Sequence, residues 1–441
     1  MEDNNLTSIN ANILLEIVKN NNTLDFGVKT KPRISASIIN KKISGKIHLQ
    51  NLNREKEISF TNCIFQDPIL FQSYEPIKSH YSFIECQFND SVNFIEGKFL
   101  GDIIFLNCSF NDKVYFDEGI YSNITFHESN ISNGFEIAGS EVNKLIISGN
   151  AWSEKEAGWI TLQEPKSKSI LIENITLKTF NCIRLIPTGT EVAVTNVKCD
   201  YIKLKNVLVD GVLQLSNVHP LMKQESIFSI DNCNLGKAEF YNINFDAFER
   251  FMIDRSILID CVFVNVIWPD DIEIGKDASK HGKTILLLDK KEVYRQIKYA
   301  LSKQGNTYDE QTFHAKELNT IYKSLTFRKH PWTKSIIGLS YLSSEYGLSI
   351  WRPIAFLLVV NGLLFWWYIN IGDLPITESI RGGSFLRQAE FYIGEFINYS
   401  NPLHRNDERL SGYQFLVDAL MRIVSSYSIY NFIRASRRFI K

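Results

Sequence analysis

Large apolar side chains recur every five or six residues along one stretch of the chain, and this spacing strongly constrains the fold. The recurrence begins at Phe60 and continues to Ile137. An α-helix repeats its faces every ~3.6 residues and a flat strand every ~2, so neither keeps this pattern on one side. A chain that turns a corner after each short extended segment does keep it. The members of the series are Phe60, Phe65, Phe71, Ile77, Phe83, Phe88, Phe94, Phe99, Phe105, Phe110, Phe116, Tyr121, Phe126, Ile131 and Ile137.

A repeated hexamer supports the same interpretation. The copies are Phe60-Thr-Asn-Cys63-Ile-Phe65, Phe83-Ile-Glu-Cys86-Gln-Phe88, Phe105-Leu-Asn-Cys108-Ser-Phe110 and Phe126-His-Glu-Ser129-Asn-Ile131. Their offset of about 22 residues indicates that four short segments close one coil. Asparagines recur later in the chain, and Asn tolerates the left-handed backbone that tight corners need. These later asparagines are Asn174, Asn196, Asn206 and Asn217.

The repeats predict a mainly β fold, a stacked β-helix over residues 40–273. One coil cannot bury its own inward residues, but coils stacked ~4.8 Å apart form a continuous column, here of roughly nine coils. The recurrent Cys63, Cys86 and Cys108 would be small buried filler in that column. Residues 139–169, with Trp152 and Trp159, break the period and are predicted to be a loop insertion.

The alternating five- and six-residue spacing of Phe resembles the pentapeptide-repeat superfamily of bacterial proteins. The resemblance implies a right-handed quadrilateral β-helix. It also implies an N-terminal cap in residues 1–39, with a short helix at 13–19 followed by a first strand at 24–26. Residues 170–273 depart from the strict family pattern, because Val, Leu and Ile replace Phe there.

The period changes to helical from Asp289 onward. One helix is predicted to end at Gly305-Asn306, and a second to run from residue 309 to 325. The first has Val293, Ile297, Ala300 and Leu301 on one face, and the second has Phe313, Leu318 and Ile321 or Tyr322. We expect this helical hairpin, residues 285–330, to cap the open end of the β-helix, whose last coil would otherwise expose pairing edges.

The stretch from Trp351 to Ile371 is predicted to be a transmembrane helix. Its length of about 31 Å at ~1.5 Å per residue matches the ~30 Å hydrocarbon layer. Asn361 is its one polar side chain between Pro353 and Ile369. Proline suits a first helical turn, and aromatic residues at both ends are typical of interfacial belts. The predicted anchor residues are Trp351, Pro353, Asn361, Trp366, Trp367 and Tyr368.

A second crossing is predicted at residues 413–433, which contain Asp418 and Arg422 four positions apart on one helix face. A charge at mid-bilayer costs from about 3 kcal/mol upward, so the alternative is a helix lying in the interface. The flanking charges favour crossing. Residues 373–411 carry four Arg and six acidic residues, whereas the flanks are basic and basic flanks stay cytoplasmic. The cytoplasmic basic flank consists of Arg352, Arg434, Arg437 and Arg438.

The C-terminal third, with a membrane domain over residues 343–441, also resembles the membrane domain appended to some bacterial pentapeptide-repeat proteins. The acidic segment between the two apolar stretches would then lie outside, with 391–399 on the outer surface. The pieces that carry this resemblance are Tyr294-Arg-Gln-Ile-Lys298, Gln304-Gly305, Ala315-Lys-Glu317, Tyr346-Gly347, Trp351-Arg-Pro353, Asn401-Pro402, Tyr427-Ser-Ile-Tyr430, Arg434, Arg437 and Arg438.

Composition and motifs argue against several classes of protein. The chain has 48 Lys and Arg against 49 Asp and Glu and is 44% hydrophobic, which excludes a polycation and a disordered chain. Its eight His and seven Cys show no metal-ligand spacing, so we expect no metal, no cofactor and no enzymatic activity. Gly282-Lys-Thr284 is not a phosphate loop, because Asp277 stands where the motif needs Gly and the residues that follow are predicted to form a strand.

The leading functional interpretation is a non-enzymatic bacterial inner-membrane protein, whose cytoplasmic β-helix is a scaffold or sensing surface. One alternative is a channel-like effector, as in phage defence, with Asp418 and Arg422 at a pore or between subunits. Two others are a DNA mimic and a carbohydrate-active enzyme using Trp152 or Trp159. The expected partners are membrane lipid, a second copy and an unidentified protein. Direct nucleic-acid binding is disfavoured, because residues 51–273 carry 18 basic and 31 acidic residues.

Overall fold

The computed structural model describes residues 7–10, 12, 14, 34–45, 47–48, 56–149, 158–185, 191–275, 283–371, 384–404 and 412–437. The chain divides into two compact units, Met1–His281 and Gly282–Lys441. The division falls between residues 273 and 285, where the sequence predicts that the β-helix ends and the helices begin.

The first unit is a parallel β-solenoid of about nine turns. Its described strands are β1 (Thr7–Asn10), β2 (Ile34–Ile39), β3 (Lys41–Ser44), β4 (Ile47–His48), β5 (Lys56–Thr61), β6 (Ile64–Phe65), β7 (Ile69–Ile77), β8 (His80–Ile84), β9 (Gln87–Phe88), β10 (Val92–Phe99), β11 (Ile103–Leu106), β12 (Ser109–Phe110), β13 (Val114–Asp117), β14 (Ile120–His127), β15 (Asn130–Ile131), β16 (Phe135–Ala138), β17 (Glu141–Ser148), β18 (Trp159–Gln163), β19 (Lys166–Ile183), β20 (Glu191–Lys205), β21 (Val212–His219), β22 (Ile227–Asp231), β23 (Glu239–Tyr241), β24 (Arg250–Asp254) and β25 (Val262–Val264). A short 3₁₀-helix lies at Phe245–Ala247.

Pairing between strands follows the repeat read from the sequence. Phe60 is in register with Phe83, Phe83 with Phe105, and Phe105 with Phe126, always in parallel orientation. One face of the solenoid is a six-stranded sheet in the order β1-β3-β6-β9-β12-β15, and the other strands form one continuous 19-stranded sheet. The predicted fold class, a mainly β solenoid followed by α-helices, is therefore confirmed.

Aromatic columns fill the solenoid interior. Phe94 stacks between Phe71 and Phe116, with ring centroids 4.1 and 4.5 Å apart. Every residue of the five- and six-residue series is at most 2% exposed. The other stacked columns are Phe60-Phe83-Phe105-Phe126, Phe65-Phe88-Phe110 and Phe99-Tyr121. Four columns per coil follow from the spacing, because each coil supplies one large side chain to each column.

Asparagine and glutamate occupy the corners in left-handed backbone. The asparagines singled out from the sequence have φ between 52° and 54°, as do those of earlier coils such as Asn62 and Asn107, with φ of 51° and 52°. Their amides hydrogen-bond from coil to coil: Asn196 donates to Asn174 over 3.0 Å, and Asn217 donates to Asn196 over 2.7 Å. The corner asparagine thus adopts the left-handed backbone that the turn requires, and its side-chain amide hydrogen-bonds to the next coil.

The recurrent cysteines are buried filler. Each thiol of Cys63, Cys86 and Cys108 lies 3.3–3.5 Å from the carbonyl oxygen of a neighbouring coil. The Cys108 thiol as neighbour raises the pKa of Cys86 to about 12, and burial raises that of Cys233 to about 11. All seven cysteines of the chain are buried, and none of them is in a disulfide bond.

The predicted loop at 139–169 is wrong over most of its length. Residues 141–148, 159–163 and 166–169 are strands that continue the parallel ladder. The five- and six-residue Phe spacing disappears there because Val142, Leu145 and Ile147 fill the interior instead. Trp152, the predicted first strand at 24–26 and the predicted cap helix at 13–19 apart from Leu14 lie outside the described residues. The solenoid also begins earlier than residue 40, since β1 pairs with β3.

A second aromatic cluster near the end of the solenoid departs from the expectation that Val, Leu and Ile replace Phe in residues 170–273. Phe245 and Phe251 stack with centroids 4.3 Å apart, and Phe228 meets both edge-on. Trp268 packs on Phe263 at 4.9 Å. These rings are irregularly spaced in the sequence, which is why the repeat pattern did not indicate them.

The second unit consists of helices in its described part. They are α1 (Lys283–Lys303), α2 (Thr307–Ser324), α3 (Pro331–Ser344), α4 (Trp351–Ile371), α5 (Phe385–Ser400) and α6 (Gly412–Ser436), with a 3₁₀ turn at Glu345–Gly347. The expected strand after Thr284 is wrong, because Ile285–Leu288 is the first part of α1. Helix α3 was not predicted, and α4 has the predicted bounds.

Candidate membrane-facing helices

Helices α4 and α6 pack against each other in antiparallel orientation. Near the start of α4, Pro353 lines a shallow apolar groove with Ser428 and Phe432, which lie late in α6. In the middle, the Asn361 amide donates to the Ser425 hydroxyl over 2.7 Å. Near the end of α4, Phe365 and Tyr368 pack with Val417 and Met421 of early α6.

The interface between α4 and α6 is rich in polar and small side chains. Asn361 is fully buried on α4, and α6 buries a stripe of Asp418, Ser425, Ser428, Asn431 and Ala435. Small residues let two helix backbones approach closely, and buried polar groups hydrogen-bond across such interfaces in membranes. Asn361 and Ser425 form such a bond.

The outward surface of the same helices is apolar. On α4, Leu363 is 64% and Trp366 66% exposed, and on α6 Ile423 is 64% exposed. Exposed large apolar residues also include Leu358, Val359, Phe415, Leu416, Tyr430 and Ile433. Among the described residues one helix, Trp351–Asn370, is long and apolar enough to cross a membrane, with a mean hydropathy of 1.5. Helix α6 does not meet this criterion, because it contains Asp418, Arg422 and several other polar residues.

Asp418 is held in a three-residue polar cluster, together with Arg422 and His404. The Arg422 Nε donates to Asp418 Oδ2 over 3.0 Å, which is the predicted pair, and His404 Nε2 lies 3.0 Å from Asp418 Oδ1. His404 Nδ1 lies 2.9 Å from the Asn401 carbonyl, which can only accept, so this nitrogen carries a proton. The cluster ties the segment after α5 to α6. Sequence reasoning missed His404, because no spacing relates it to Asp418.

The charges of this cluster lie toward one end of α6. Asp418 is only six residues past Gly412, about 9 Å along the axis at ~1.5 Å per residue. Side chains on a helix lean toward its N-terminus, and Arg422 reaches in that direction to meet Asp418. The charges therefore lie at the end of α6 that packs beside Tyr368, whereas the sequence alone suggests a position near the middle of the bilayer.

Helix α5 covers the same end of the helix pair. Its Tyr392, Phe396 and Tyr399 pack on the cluster of Phe365, Tyr368, Val417 and Met421. The hydroxyls of Tyr368 and Tyr399 lie 3.0 Å apart. Tyr368 is only 2% exposed, so its side chain packs inside the helix cluster, and its place in an interfacial aromatic belt stays a prediction. Trp351, Trp366 and Trp367 are exposed, as a belt requires.

Charged groups of α1, α2 and the end of α6 lie close to one another. The Lys298 ammonium donates to Glu317 Oε2 over 2.7 Å. Burial, followed by the positive charges of Arg434 and Lys298, lowers the pKa of His314 on α2. Gly347 has φ of 92°, and a Cβ there would lie 3.2 Å from Arg434 Nε. Four of the short motifs singled out in the sequence thus meet in space.

The remaining predicted residues are placed as follows. The Arg352 guanidinium lies 3.3 Å from Glu345 Oε2. Trp159 packs on Gly134, where a Cβ would clash with its ring, and the Lys113 ammonium lies 5.6 Å from the ring centroid. Arg437 is exposed, and Arg438 lies outside the described residues. Within the described ranges, no group of three His, Cys, Asp or Glu side chains is placed to hold a metal ion.

Comparisons with protein-family models, with curated proteins and with solved structures give no match. The parallel solenoid with stacked Phe columns agrees with a repeat β-helix. Membership in the pentapeptide-repeat superfamily stays a prediction based on the spacing of Phe.

Proposed function

We propose that the chain is a non-enzymatic, membrane-anchored scaffold of the bacterial inner membrane. Helices α4 and α6 form its anchor, and the β-solenoid is a cytoplasmic docking surface. The observation that carries this proposal is the inverted polarity of the helix pair, with Asn361, Ser425 and Asp418 inside and Leu363 and Ile423 outside. This arrangement is costly in water, but it suits hydrocarbon, where apolar side chains need no burial and polar ones need partners.

Two crossings fit this anchor better than one. Helix α6 has 25 residues, about 38 Å at ~1.5 Å per residue, and this exceeds the ~30 Å hydrocarbon layer. It runs antiparallel to α4, so Arg352 and Arg434 lie at the same end of the pair. Basic residues at that end favour the cytoplasm, while the acidic segment 373–411 would lie outside.

The solenoid suits docking because its repeated surface is broad and its described interior is packed with buried apolar side chains. Each coil adds polar corner residues, and residues 51–273 have a net charge of −13, from 18 basic and 31 acidic side chains. Stacked repeats commonly offer extended binding surfaces of this kind. A partner with a basic face is therefore expected on the solenoid.

Cysteine accessibility in spheroplasts tests the topology. Because the seven native cysteines are buried, a single engineered cysteine should react alone with a membrane-impermeant maleimide. We expect Ser384→Cys to react in intact spheroplasts, and Ser302→Cys and Arg437→Cys to react only after lysis. Reaction of the 437 site from outside would reduce the anchor to one crossing. Protection of the 384 site until lysis would overturn the proposal.

A second candidate function is a membrane-permeabilising effector. The observation that favours it is the cluster of His404, Asp418 and Arg422, since ionisable residues within membrane segments often mark ion pathways. Expression with a membrane-potential dye distinguishes the two functions. Depolarisation that disappears in Asp418→Ala, at equal membrane abundance, would favour the effector, whereas unchanged potential under every condition would leave the scaffold.

A further inference from the structure

Helix α3 presents an exposed apolar face. Trp332 is 81% and Ile336 66% exposed, and Leu339 and Leu342 are exposed as well. Residues 332, 336 and 339 are four and three positions apart, which puts them on one side of a helix. An isolated exposed apolar residue is ordinary, but a contiguous face of this kind marks an interaction surface.

The opposite side of α3 is already occupied by α2. The Lys334 ammonium lies 4.8 Å from the Tyr322 ring centroid and donates to the Leu325 carbonyl over 2.7 Å. At Gly338 a Cβ would come within 3.4 Å of the same tyrosine ring. The helix is therefore held in one orientation, and Trp332 and Ile336 point away from α2.

The end of α3 is fixed beside the entry of the proposed anchor. The Ser343 hydroxyl lies 3.0 Å from the Tyr427 hydroxyl of α6, and Arg352 at the start of α4 donates to the Tyr341 carbonyl over 3.3 Å. Its 14 residues span about 21 Å at ~1.5 Å per residue, too short for the ~30 Å hydrocarbon layer. A helix of this length cannot cross the membrane, but its place beside the start of α4 brings it within reach of the membrane surface.

The charges around α3 indicate which kind of partner surface its apolar face contacts. Arg328 and Lys329 precede the helix and are exposed, and residues 328–344 contain no acidic side chain. A second copy packed through the same face would bring the same basic segment and repel it. Anionic lipid headgroups complement it, and each Lys or Arg near such a surface adds about 1 kcal/mol of attraction.

We propose that α3 is an interfacial helix that binds an anionic lipid surface, with Trp332 and Ile336 inserted below the headgroups and Arg328 and Lys329 on the phosphates. This inference rests on the proposed membrane anchor, because α4 brings α3 to the bilayer. Amphipathic helices with aromatic and basic residues bind membranes in this way.

Full-length protein in vesicles tests the inference. The label is an environment-sensitive fluorophore on Trp332→Cys, with Ser302→Cys as the water-exposed control and Val359→Cys as the lipid-buried reference. Vesicles contain phosphatidylcholine alone or an equal mixture with phosphatidylglycerol, each with or without a nitroxide-bearing lipid. We expect nitroxide quenching at 332 and 359 but not at 302, and stronger quenching at 332 when phosphatidylglycerol is present.

Charge removal provides the second arm. The quenched fraction of the label at 332 gives the ratio of lipid-bound to water-exposed α3. In the Trp332→Cys protein, Arg328→Gln and Lys329→Gln should each lower this ratio about fivefold in the mixed vesicles, and should leave it unchanged in phosphatidylcholine. A label at 332 that stays in water while the 359 label is quenched would overturn the interfacial helix and leave the anchor intact. A 359 label in water would instead overturn the anchor itself. Protection of 332 that rises with protein concentration, and not with anionic lipid, would mean that a second copy covers this face.

Discussion

In the solenoid, Phe94 lies between two other rings and polar corner asparagines point to water, whereas in the helix pair Asn361 is buried and Leu363 is exposed. Both regions follow one rule, that apolar side chains avoid water, but they satisfy it in different surroundings. The solenoid must make its own apolar interior, coil upon coil. The helix pair has an interface that depends on hydrogen bonds and small residues, because its apolar surface is to be covered by lipid.

The largest expected effect is in the aromatic columns. Phe94→Ala should lower the free energy of unfolding by about 3–5 kcal/mol, since it removes a stacked ring and leaves a cavity between two others. Denaturant unfolding followed by far-UV circular dichroism measures it. The matched control is Phe94→Leu, which keeps most of the volume and should cost clearly less. Equal losses in the two variants would contradict this expectation, because they would show that the volume kept by leucine contributes nothing.

A charge on the outward face of α4 tests whether lipid covers the apolar surface of the helix pair. Val359→Asp, near the middle of the helix, should oppose membrane insertion by about 3 kcal/mol and move the protein from the membrane fraction to aggregates or the supernatant. Ser302→Asp, at the exposed end of α1, is the control and should fractionate as the parent does. A Val359→Asp protein that is membrane-bound and stable to the same extent would mean that this face meets water.

A smaller effect is expected at the polar interface. Asn361→Ala and Ser425→Ala should each weaken the α4–α6 pair, with a coupling energy of about 0.6 kcal/mol in a double-mutant cycle, the size typical of hydrogen bonds within membranes. Unfolding in mixed micelles with increasing anionic detergent provides the measurement. Strictly additive single losses would show that the 2.7 Å contact contributes no coupling.

The smallest effect concerns pH. The pKa of His314 is lowered in the folded protein from its ordinary value of 6.5, so the unfolded chain takes up a proton at higher pH than the folded chain does. The free energy of unfolding is therefore highest, as far as this group is concerned, above pH 6.5, and it decreases as the pH falls below 6.5. His314→Gln should flatten that decline in thermal melts. A parent and variant with parallel pH profiles would contradict it.

The sequence allowed prediction of the parts of the fold that depend on local period. The five- and six-residue series gives the registers from Phe60 to Phe126, and the apolar run gives the bounds of α4, because each is a pattern within one contiguous stretch. The coils of residues 141–148 were missed because Val and Leu can fill the interior as well as Phe. Helix α3 was missed because its short apolar face lies between two longer signals.

The candidate site was less accessible to prediction, because it arises where distant segments meet. The pair of Asp418 and Arg422 follows from helical spacing. The third member of the cluster, His404, comes from the segment after α5 and lies 14 residues before Asp418 in the sequence. Tyr368 had the right residue type and position for an aromatic belt. What decides its surroundings is the packing of α5, with Tyr399 beside it, which no pattern within α4 reports.

The coil-to-coil hydrogen bonds of the solenoid have a mechanical consequence. In a β-solenoid these bonds run along the long axis, so a pull on its two ends loads successive coils in series. Such a molecule should yield one coil at a time from an end. Each coil of about 22 residues would release roughly 70 Å of extended chain at ~3.3 Å per residue. A solenoid that is held at one end and pulled at the other would thus lengthen in steps of about equal size.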